Sequence, residues 1–445
     1  MSRSSRTPCA VVVTAFALAC LMLADVGAGA AAAVASPLPP VAAPIPPAAA
    51  PPPTVAAPLP APISSQLFGM HISDPGNNWP QIPFSTIRLH DTGTSWRDMQ
   101  PAPGTWNFAT LDARVDRAMS GRREVLMVLG QTPRWAARRP DEYSYNGLGA
   151  ASEPADLKTW RSYVRSLAIR YKGRIRTWEL WNEPNVKGFF SGSPRAMVEM
   201  AREAYLILKR IDPKNVVVSP GMAVRTLNSP VWLDRYLGYG GRFYTDVVGV
   251  HLYVLSRQRP ESILGSVSRV RLVMAKYRLR LPIWNTESGY GRTAETPETS
   301  ELYVGQMAMA FVARTYILSA HAHVARTYWY AWDDQGFGGL YLTATDRRTP
   351  SEAGRAYGVT YGWLVRARLL RCARTATGPR AGTYTCLLTR GKNEMQISWH
   401  PTKSYLATVP AGFHSVSRLD GSTVKARPGS LIRVSPMPIM VSTAR

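Results

Sequence analysis

Arg176-Thr177-Trp178-Glu179-Leu180-Trp181-Asn182-Glu183-Pro184-Asn185 is the stretch on which the reading of the whole chain turns. It begins as an apolar, aromatic run suited to a buried strand and ends in an amide, a carboxylate and a proline. Packing does not call for Asn and Glu at the tip of a buried strand. Pro184 has no N–H to give to a sheet ladder, so the strand stops there, and Asn182 and Glu183 fall where strand becomes loop. In a parallel α/β barrel that C-terminal rim is where reactive groups are kept.

Working outward, strand-like runs alternate with helical patterns. Residues 67–72 and 85–90 read as the first two strands, joined by a Pro-, Gly- and Asn-rich loop so short that the first helix is expected to be small or missing. Residues 124–130 form a continuous apolar run, the signature of a strand covered on both faces. Leu111, Val115 and Ala118, then Trp160, Val164, Leu167 and Tyr171, then Met197, Ala201, Ala204, Leu208 and Ile211 recur with helical spacing. Further strands are expected at 215–220, 246–253, 281–287 and 326–332. Eight strands in strand–helix alternation predict a (β/α)8 TIM barrel. Beyond a helix-like segment at 353–369, short alternating runs at 383–388, 395–399, 405–409, 431–434 and 439–441 predict a small C-terminal β-sandwich.

At 445 residues with 45% hydrophobic content, the chain has room for both parts. Residues 1–33 read as an export signal: Arg3 and Arg6, an apolar run over 10–24, then small residues suited to cleavage. The run is short for a membrane span, and Cys20 lies inside it rather than in a proper lipoprotein box, so cleaved secretion or residence in the cell envelope is expected over stable insertion. Residues 34–65 are nearly all Pro, Ala, Val and Leu, a stiff extended spacer. The barrel is assigned to 66–369 and the β domain to 370–445. Cys372 and Cys386, the two cysteines of the mature exported chain, are expected to form a disulfide tying the β domain's first strand to the barrel's end. The net charge of +24 lies almost wholly beyond residue 66. It suits an anionic or cell-surface partner, or is simply spread over the solvated faces of an arginine-rich chain, the reading favoured here. No basic block with interleaved aromatics is present, which argues against nucleic acid.

The form Trp-Glu-x-Trp-Asn-Glu-Pro-Asn resembles the acid/base strand of retaining (β/α)8-barrel glycoside hydrolases. It is most similar to glycoside hydrolase family 39 and related bacterial exopolysaccharide hydrolases. Trp96, Pro103-Gly104-Thr105-Trp106 and Leu111-Asp112 extend the similarity, and an appended C-terminal β domain is a looser match. Glycoside hydrolysis needs two carboxyls flanking the bond. The second is Glu287, in Pro282-Ile283-Trp284-Asn285-Thr286-Glu287-Ser288-Gly289-Tyr290, which closes a strand three βα units after Glu183 and opens onto the same rim. The resemblance implies Glu183 as general acid/base and Glu287 as nucleophile. It implies that Asn182 bonds the sugar 2-hydroxyl, Tyr253 bonds the nucleophile, Arg88 keeps that carboxylate ionised, and Trp332 is the platform under the reacting sugar. His251, in His251-Leu252-Tyr253, is a further substrate-binding candidate, and Trp135 a candidate outer platform. Glu179 precedes Glu183 by four residues, so it is expected ~13 Å deeper and paired with Arg88.

The function expected is that of an exported, monomeric retaining glycosidase acting on an oligo- or polysaccharide without cofactor or metal; His321 and His323 lack a third ligand. Two rivals keep the same residues. One is a carbohydrate-binding barrel without catalysis; the other is a transglycosylase, in which a sugar replaces water in the second step.

Overall fold

A computed structural model describes residues 59–224, 230–255, 258–290, 303–333 and 339–444. The expected export signal and most of the Pro/Ala-rich spacer lie outside the described residues. Nine strand segments make the barrel: β1 (Phe68–His71), β2 (Thr86–Leu89), β3 (Glu124–Val128), β4 (Thr177–Glu179), β5 (Val216–Val218), β6 (Met222–Ala223), β7 (Val248–His251), β8 (Ile283–Ser288) and β9 (Val324–Trp329). Their order is β5-β4-β3-β2-β1-β9-β8-β7-β6. The ends of that order are two pieces of one strand position, interrupted at Ser219-Pro220-Gly221. β5 pairs with β4, β6 pairs with β7, and Val218 bridges Val247, so the sheet closes on itself. Pro220 has no N–H for a ladder, which is why the strand breaks there.

The connection from β1 to β2 holds turns and loop and no helix, as its length required. Between later strands lie α1 (Trp96–Met99), α2 (Ala109–Ser120), α3 (Leu157–Arg170), α4 (Pro194–Ile211), α5 (Pro230–Gly238), α6 (Ser262–Lys276) and α7 (Gly305–His321), with α8 (Glu352–Leu364) after the last strand. Helices such as α2, α3 and α4 bury one apolar stripe each, whereas α7 is buried on all sides from Ala308 to Ser319. In α3 the stripe is Trp160, Tyr163, Val164, Leu167 and Ala168, all buried. Its first turn is capped by the Asp156 carboxylate, which accepts from the Lys158 N–H; Ser193 caps α4 in the same way, with Pro194 at the first helical position.

β8 shows how the barrel carries polarity inward. All six of its residues are buried, yet four of them, Asn285, Thr286, Glu287 and Ser288, are polar. Buried polar groups must be hydrogen-bonded, so this strand demands partners from its neighbours.

Order begins before the expected Gln66: the Ile63 N–H donates to Ala367 O, and Arg366 N–H donates back to Ile63 O. At the other end, α8 stops at Leu364 rather than running to 369, and β10 (Arg368–Arg374) opens the C-terminal sheet. That strand was not expected, because its three arginines interrupt the apolar alternation. It pairs with β11 (Tyr384–Arg390), followed by β12 (Asn393–Trp399), β13 (Tyr405–Thr408), β14 (Ser415–Ser417), β15 (Thr423–Lys425), β16 (Leu431–Val434) and β17 (Ile439–Ser442). A six-stranded sheet, β10-β11-β12-β17-β14-β15, lies with the ribbon β13-β16. Cys372 and Cys386 are directly opposed in the β10–β11 ladder, with Cα atoms 3.9 Å apart, and are disulfide-bonded. The bond therefore joins neighbouring strands of one sheet, correcting the expectation that it would tie the sheet to the barrel's end. Contacts to the barrel include Trp399, whose Nε1 donates to Glu261 Oε1 at 2.8 Å, the same oxygen that accepts from the buried Arg314 Nε, and Arg390, whose Nη2 donates to Gly362 O and Trp363 O of α8.

The disulfide closes a short loop, with a sequence separation of 14, for which the chain-entropy contribution is about 3 kcal/mol. Replacing both cysteines by serine should move the urea midpoint of the C-terminal domain down by an equivalent amount while leaving barrel secondary structure intact. An unchanged midpoint would show that the ladder alone holds β10 in place.

Candidate active site

The buried polar residues of β8 meet those at the ends of β2, β4 and β7 in one network, and Arg88 of β2 is its hub. The Arg88 side chain is fully buried and spends its donors three ways, each at 2.7 Å: Nε to Glu179 Oε2, Nη1 to Glu287 Oε2 and Nη2 to Asn182 Oδ1. Burial opposes its charge, but the two carboxylates override this and push the guanidinium further from deprotonation. With Oδ1 of Asn182 committed to Arg88, its Nδ2 is the end that the amide can offer to a ligand.

Glu287 takes a second donor, the Tyr253 hydroxyl, at 2.7 Å on Oε1. Glu183 follows β4 with φ of 39°, a left-handed conformation that carries its side chain back toward the barrel axis, and its N–H is fixed to Gly221 O at 2.8 Å. Its Oε1 lies 2.9 Å from His251 Nδ1. Oxygens of Glu183 and Glu287 and a nitrogen of His251 all lie within 4.8 Å of one another. Burial disfavours a charged His251, but the charge of Glu287 and the neighbouring Glu179 and Glu183 outweigh it and raise its pKa.

Glu179 is the buried ion-pair partner of Arg88, as expected, but not remote from the chemistry. One guanidinium bridges it to Glu287, and its Oε1 accepts from Thr286 Oγ1 at 2.7 Å and lies 3.9 Å from His251 Nε2. The ~13 Å expectation assumed extended backbone through Glu183. The regular strand in fact ends at Glu179, and the side chains reach toward each other across the barrel. Burial alone would raise the Glu179 pKa; the Arg88 charge and the His251 contact prevail and hold it at about 2. Gly221 makes room for this packing: a Cβ there would stand 2.1 Å from Glu179 Oε1 and 2.6 Å from His251 Nε2.

Arg88, Asn182, Glu183, His251, Tyr253 and Glu287 thus come together. Two expected platforms do not. Trp332 is 0% exposed and belongs to the main apolar core, its backbone N–H donating to His71 O, so its ring offers no face to a sugar. The half-buried aromatic at that strand end is Tyr330, whose ring lies 4.4 Å from His71. Trp135 is half-buried, its Nε1 donating to Gln100 O at 2.8 Å and its ring edge-on to Trp96.

Other residues at the rim were passed over. His71 ends β1, and His90 and Asp91 follow β2. Both histidines are buried, and burial lowers the pKa of each; the Arg88 charge adds to this at His71, whereas at His90 the adjacent Asp91 opposes burial without overcoming it, so both are neutral imidazoles near pH 7. The signal that found Glu183, a polar residue at the C-terminal end of a buried strand, was present at each. His90, Asp91, Trp181, Asn182 and Phe189 line a cleft beside the carboxylates. Two carboxylates this close, one held by a cation and a phenol and the other facing an imidazole, can pass a proton and attack an electrophilic carbon from opposite sides.

Arg88→Met would strand Glu179 and Glu287 as uncompensated buried carboxylates, a change worth about 3–5 kcal/mol. A large fall in melting temperature together with loss of activity is expected, and a variant as stable as the parent would contradict the role given to the guanidinium. Acid tests the same network. The Glu179 pKa is depressed from 4.5 to about 2 on folding, so its stabilisation is complete above the unfolded value and is lost as pH falls through that window. Unfolding free energy measured from pH 5 to pH 2 should decline by on the order of 3 kcal/mol from this group, and the decline should be smaller in Arg88→Met.

Residues 162–357 match the family model described as glycosyl hydrolase catalytic core, a span containing Glu183, His251, Tyr253 and Glu287. No curated protein matches the chain. Among solved structures, the chain is similar to a family 39 glycoside hydrolase from the gut symbiont Bacteroides cellulosilyticus WH2, with 17% identity, TM-score 0.64, and 80% of this chain and 75% of that one covered. It is also similar to a monomeric beta-xylosidase from Caulobacter crescentus CB15, with 16% identity, TM-score 0.61 and coverage of 86% and 97%. A family 30 endoxylanase from Clostridium papyrosolvens C71 matches at 13% identity, TM-score 0.59 and the same coverages. At these identities the likeness is one of fold. With a glycosyl hydrolase catalytic core set on the barrel of family 39 and family 30 glycoside hydrolases, the chain is a glycosidase.

Proposed function

We propose that this protein is an exported retaining glycoside hydrolase that cleaves an oligo- or polysaccharide by double displacement, with Glu183 as acid/base and Glu287 as nucleophile. The observation that carries the reading is the closeness of the two carboxylates, one oxygen of each lying within 4.8 Å of the other. Retaining enzymes hold their carboxyls about 5–5.5 Å apart, whereas inverting ones leave ~6.5–9.5 Å for a water. The two roles follow from the partners. Glu287 receives the Arg88 guanidinium and the Tyr253 hydroxyl, which suit an anion aimed at the anomeric carbon. Arg88 gives none of its three bonds to Glu183, whose neighbour is His251. In the first step Glu183 protonates the glycosidic oxygen as Glu287 attacks; in the second, Glu183 takes a proton from the water that releases the sugar. Asn182 Nδ2 would donate to the 2-hydroxyl, a bond that strengthens at the transition state.

Export is supported by the N-terminal apolar run and by the Cys372–Cys386 disulfide, a bond that persists in oxidising compartments. Among the described residues no helix is long and apolar enough to cross a membrane. A monomer agrees with the similar Caulobacter crescentus structure, which is described as monomeric. The pairing of both carboxylates with fixed donors favours catalysis over mere sugar binding.

Glu183→Ala should lose turnover by about 10²–10⁴-fold on a substrate with a poor leaving group, while an activated aryl glycoside still glycosylates Glu287. The trapped glycosyl-enzyme should be visible by mass spectrometry, and azide should restore turnover with retained configuration. Glu287→Ala should show neither behaviour, azide yielding at most an inverted product. Covalent adduct in Glu287→Ala and none in Glu183→Ala would exchange the two roles; undiminished activity in both would end the proposal.

A further inference from the structure

Asp91 follows β2 on the rim, and lines the same cleft as Asn182. It sits at φ 55°, a left-handed conformation that Asp tolerates better than most residues. Its side chain is 41% exposed, in contrast to the buried groups around Arg88.

Its partners differ from those of the acids that meet a cation. Glu179 and Glu287 share Arg88, Glu142 and Glu153 share Arg139, and Asp112 meets Arg170. Among the described residues Asp91 has no Lys or Arg at ion-pair distance. Oδ1 lies 3.3 Å from Nε2 of the neutral His90, and Oδ2 lies 3.3 Å from the Tyr330 hydroxyl. Both contacts are long, since an O–H···O⁻ bond settles near 2.5–2.7 Å. A carboxylate offers about four acceptor sites, so most of this one's capacity is open to the cleft. Nor does any Lys or Arg stand among the described residues that line the cleft, although the chain carries a net charge of +24.

We propose that Asp91 is a substrate-binding residue, which accepts hydrogen bonds from two adjacent donors on the sugar in the cleft and selects rings bearing hydroxyls or an ammonium there over rings bearing a carboxylate. This rests on the glycosidase reading above and deepens it by naming the substrate class. Vicinal hydroxyls present two donors at the spacing of a carboxylate's two oxygens, and an ammonium adds opposite charge. A uronic acid would set like charges together in a partly desolvated site with no cation to offset them. The net positive charge of the chain is then not matched to an acidic ring at this position.

The test uses the full chain and the variants Asp91→Asn and Glu287→Ala, assayed on 4-nitrophenyl glycosides of neutral, 2-amino and uronic sugars. Asn is nearly isosteric, and an unchanged melting temperature would confirm folding. The parent should favour neutral or amino glycosides over uronides. Asp91→Asn should lower kcat/KM on the preferred class by about 10–100-fold, and shift the ratio toward uronides by a similar factor. Amino glycosides preferred by the parent, with the preference lost in Asp91→Asn, would mark an ammonium as the partner; neutral glycosides preferred would mark a diol. A parent that favours uronides, or kcat/KM and ratios unmoved by Asp91→Asn while Glu287→Ala is inactive, overturns the proposal. Calorimetric binding of free neutral, amino and uronic monosaccharides gives a readout independent of turnover. If no glycoside is cleaved, the function reading fails, and weaker binding of neutral or amino sugar by Asp91→Asn still supports the site. Equal binding by the two proteins, or no binding by the parent, overturns it.

Discussion

One buried cation organises this barrel. The Arg88 guanidinium has no water to fall back on, and its three bonds go to Glu179, Glu287 and Asn182, tying β2 to β4 and β8. Burying a guanidinium and two carboxylates is costly unless geometry is good and each nitrogen finds an acceptor. Here the fixed planar fork of arginine meets that condition, and a lysine could not, because a single ammonium cannot hold three acceptors in a set plane. Stability and chemistry are thus linked in one group: the bond that compensates Glu179 shares a guanidinium with the bond that aims Glu287.

Room for this network is made by the break in the fifth strand position. Ser219-Pro220-Gly221 takes the backbone out of its ladder, and Gly221 then serves twice. Its carbonyl anchors the Glu183 N–H, and its missing side chain lets the Glu179 carboxylate and the His251 ring approach. Gly249 on β7 has a related use, since a Cβ there would stand 2.9 Å from Val218 Cγ1 and 3.1 Å from Ser219 O. Neither glycine is needed for a positive φ; both are needed for closeness.

Polarity then changes from the centre to the rim. Around Arg88 each carboxylate meets a cation, a phenol, a hydroxyl or an imidazole, and the side chains are fixed before any ligand arrives, which is what transition-state stabilisation requires. At the ends of β1 and β2 the histidines are neutral, and Asp91 is half exposed with only long contacts. Rigid charge belongs to the bond-breaking centre, and unspent hydrogen-bonding capacity belongs to the sugar-facing wall.

Much of this was legible in the chain itself. The alternation of buried runs and helical stripes determined a barrel, and Glu183 and Glu287 stood out because carboxylates at the tips of buried strands have no packing reason to be there. Arg88 and Glu179 were readable as an ion pair, since neither can be buried alone. What the sequence could not carry were quantities that depend on where side chains end in space. Depth along a strand placed Glu179 too far from the chemistry, because strand spacing ignores side-chain reach and the early end of β4. The aromatic run 328–332 named a platform residue but not which ring faces out: Trp332 went to the core and Tyr330 to the rim. The partner strand of Cys372 was likewise hidden, because β10 is too rich in arginine to read as sheet until β11 pairs with it. Sequence determined the kind of fold and the reactive groups, since these follow from local periodicity and from the cost of burying charge. Only the tertiary structure decided which groups touch, because contact distances are set by packing between strands far apart in the chain.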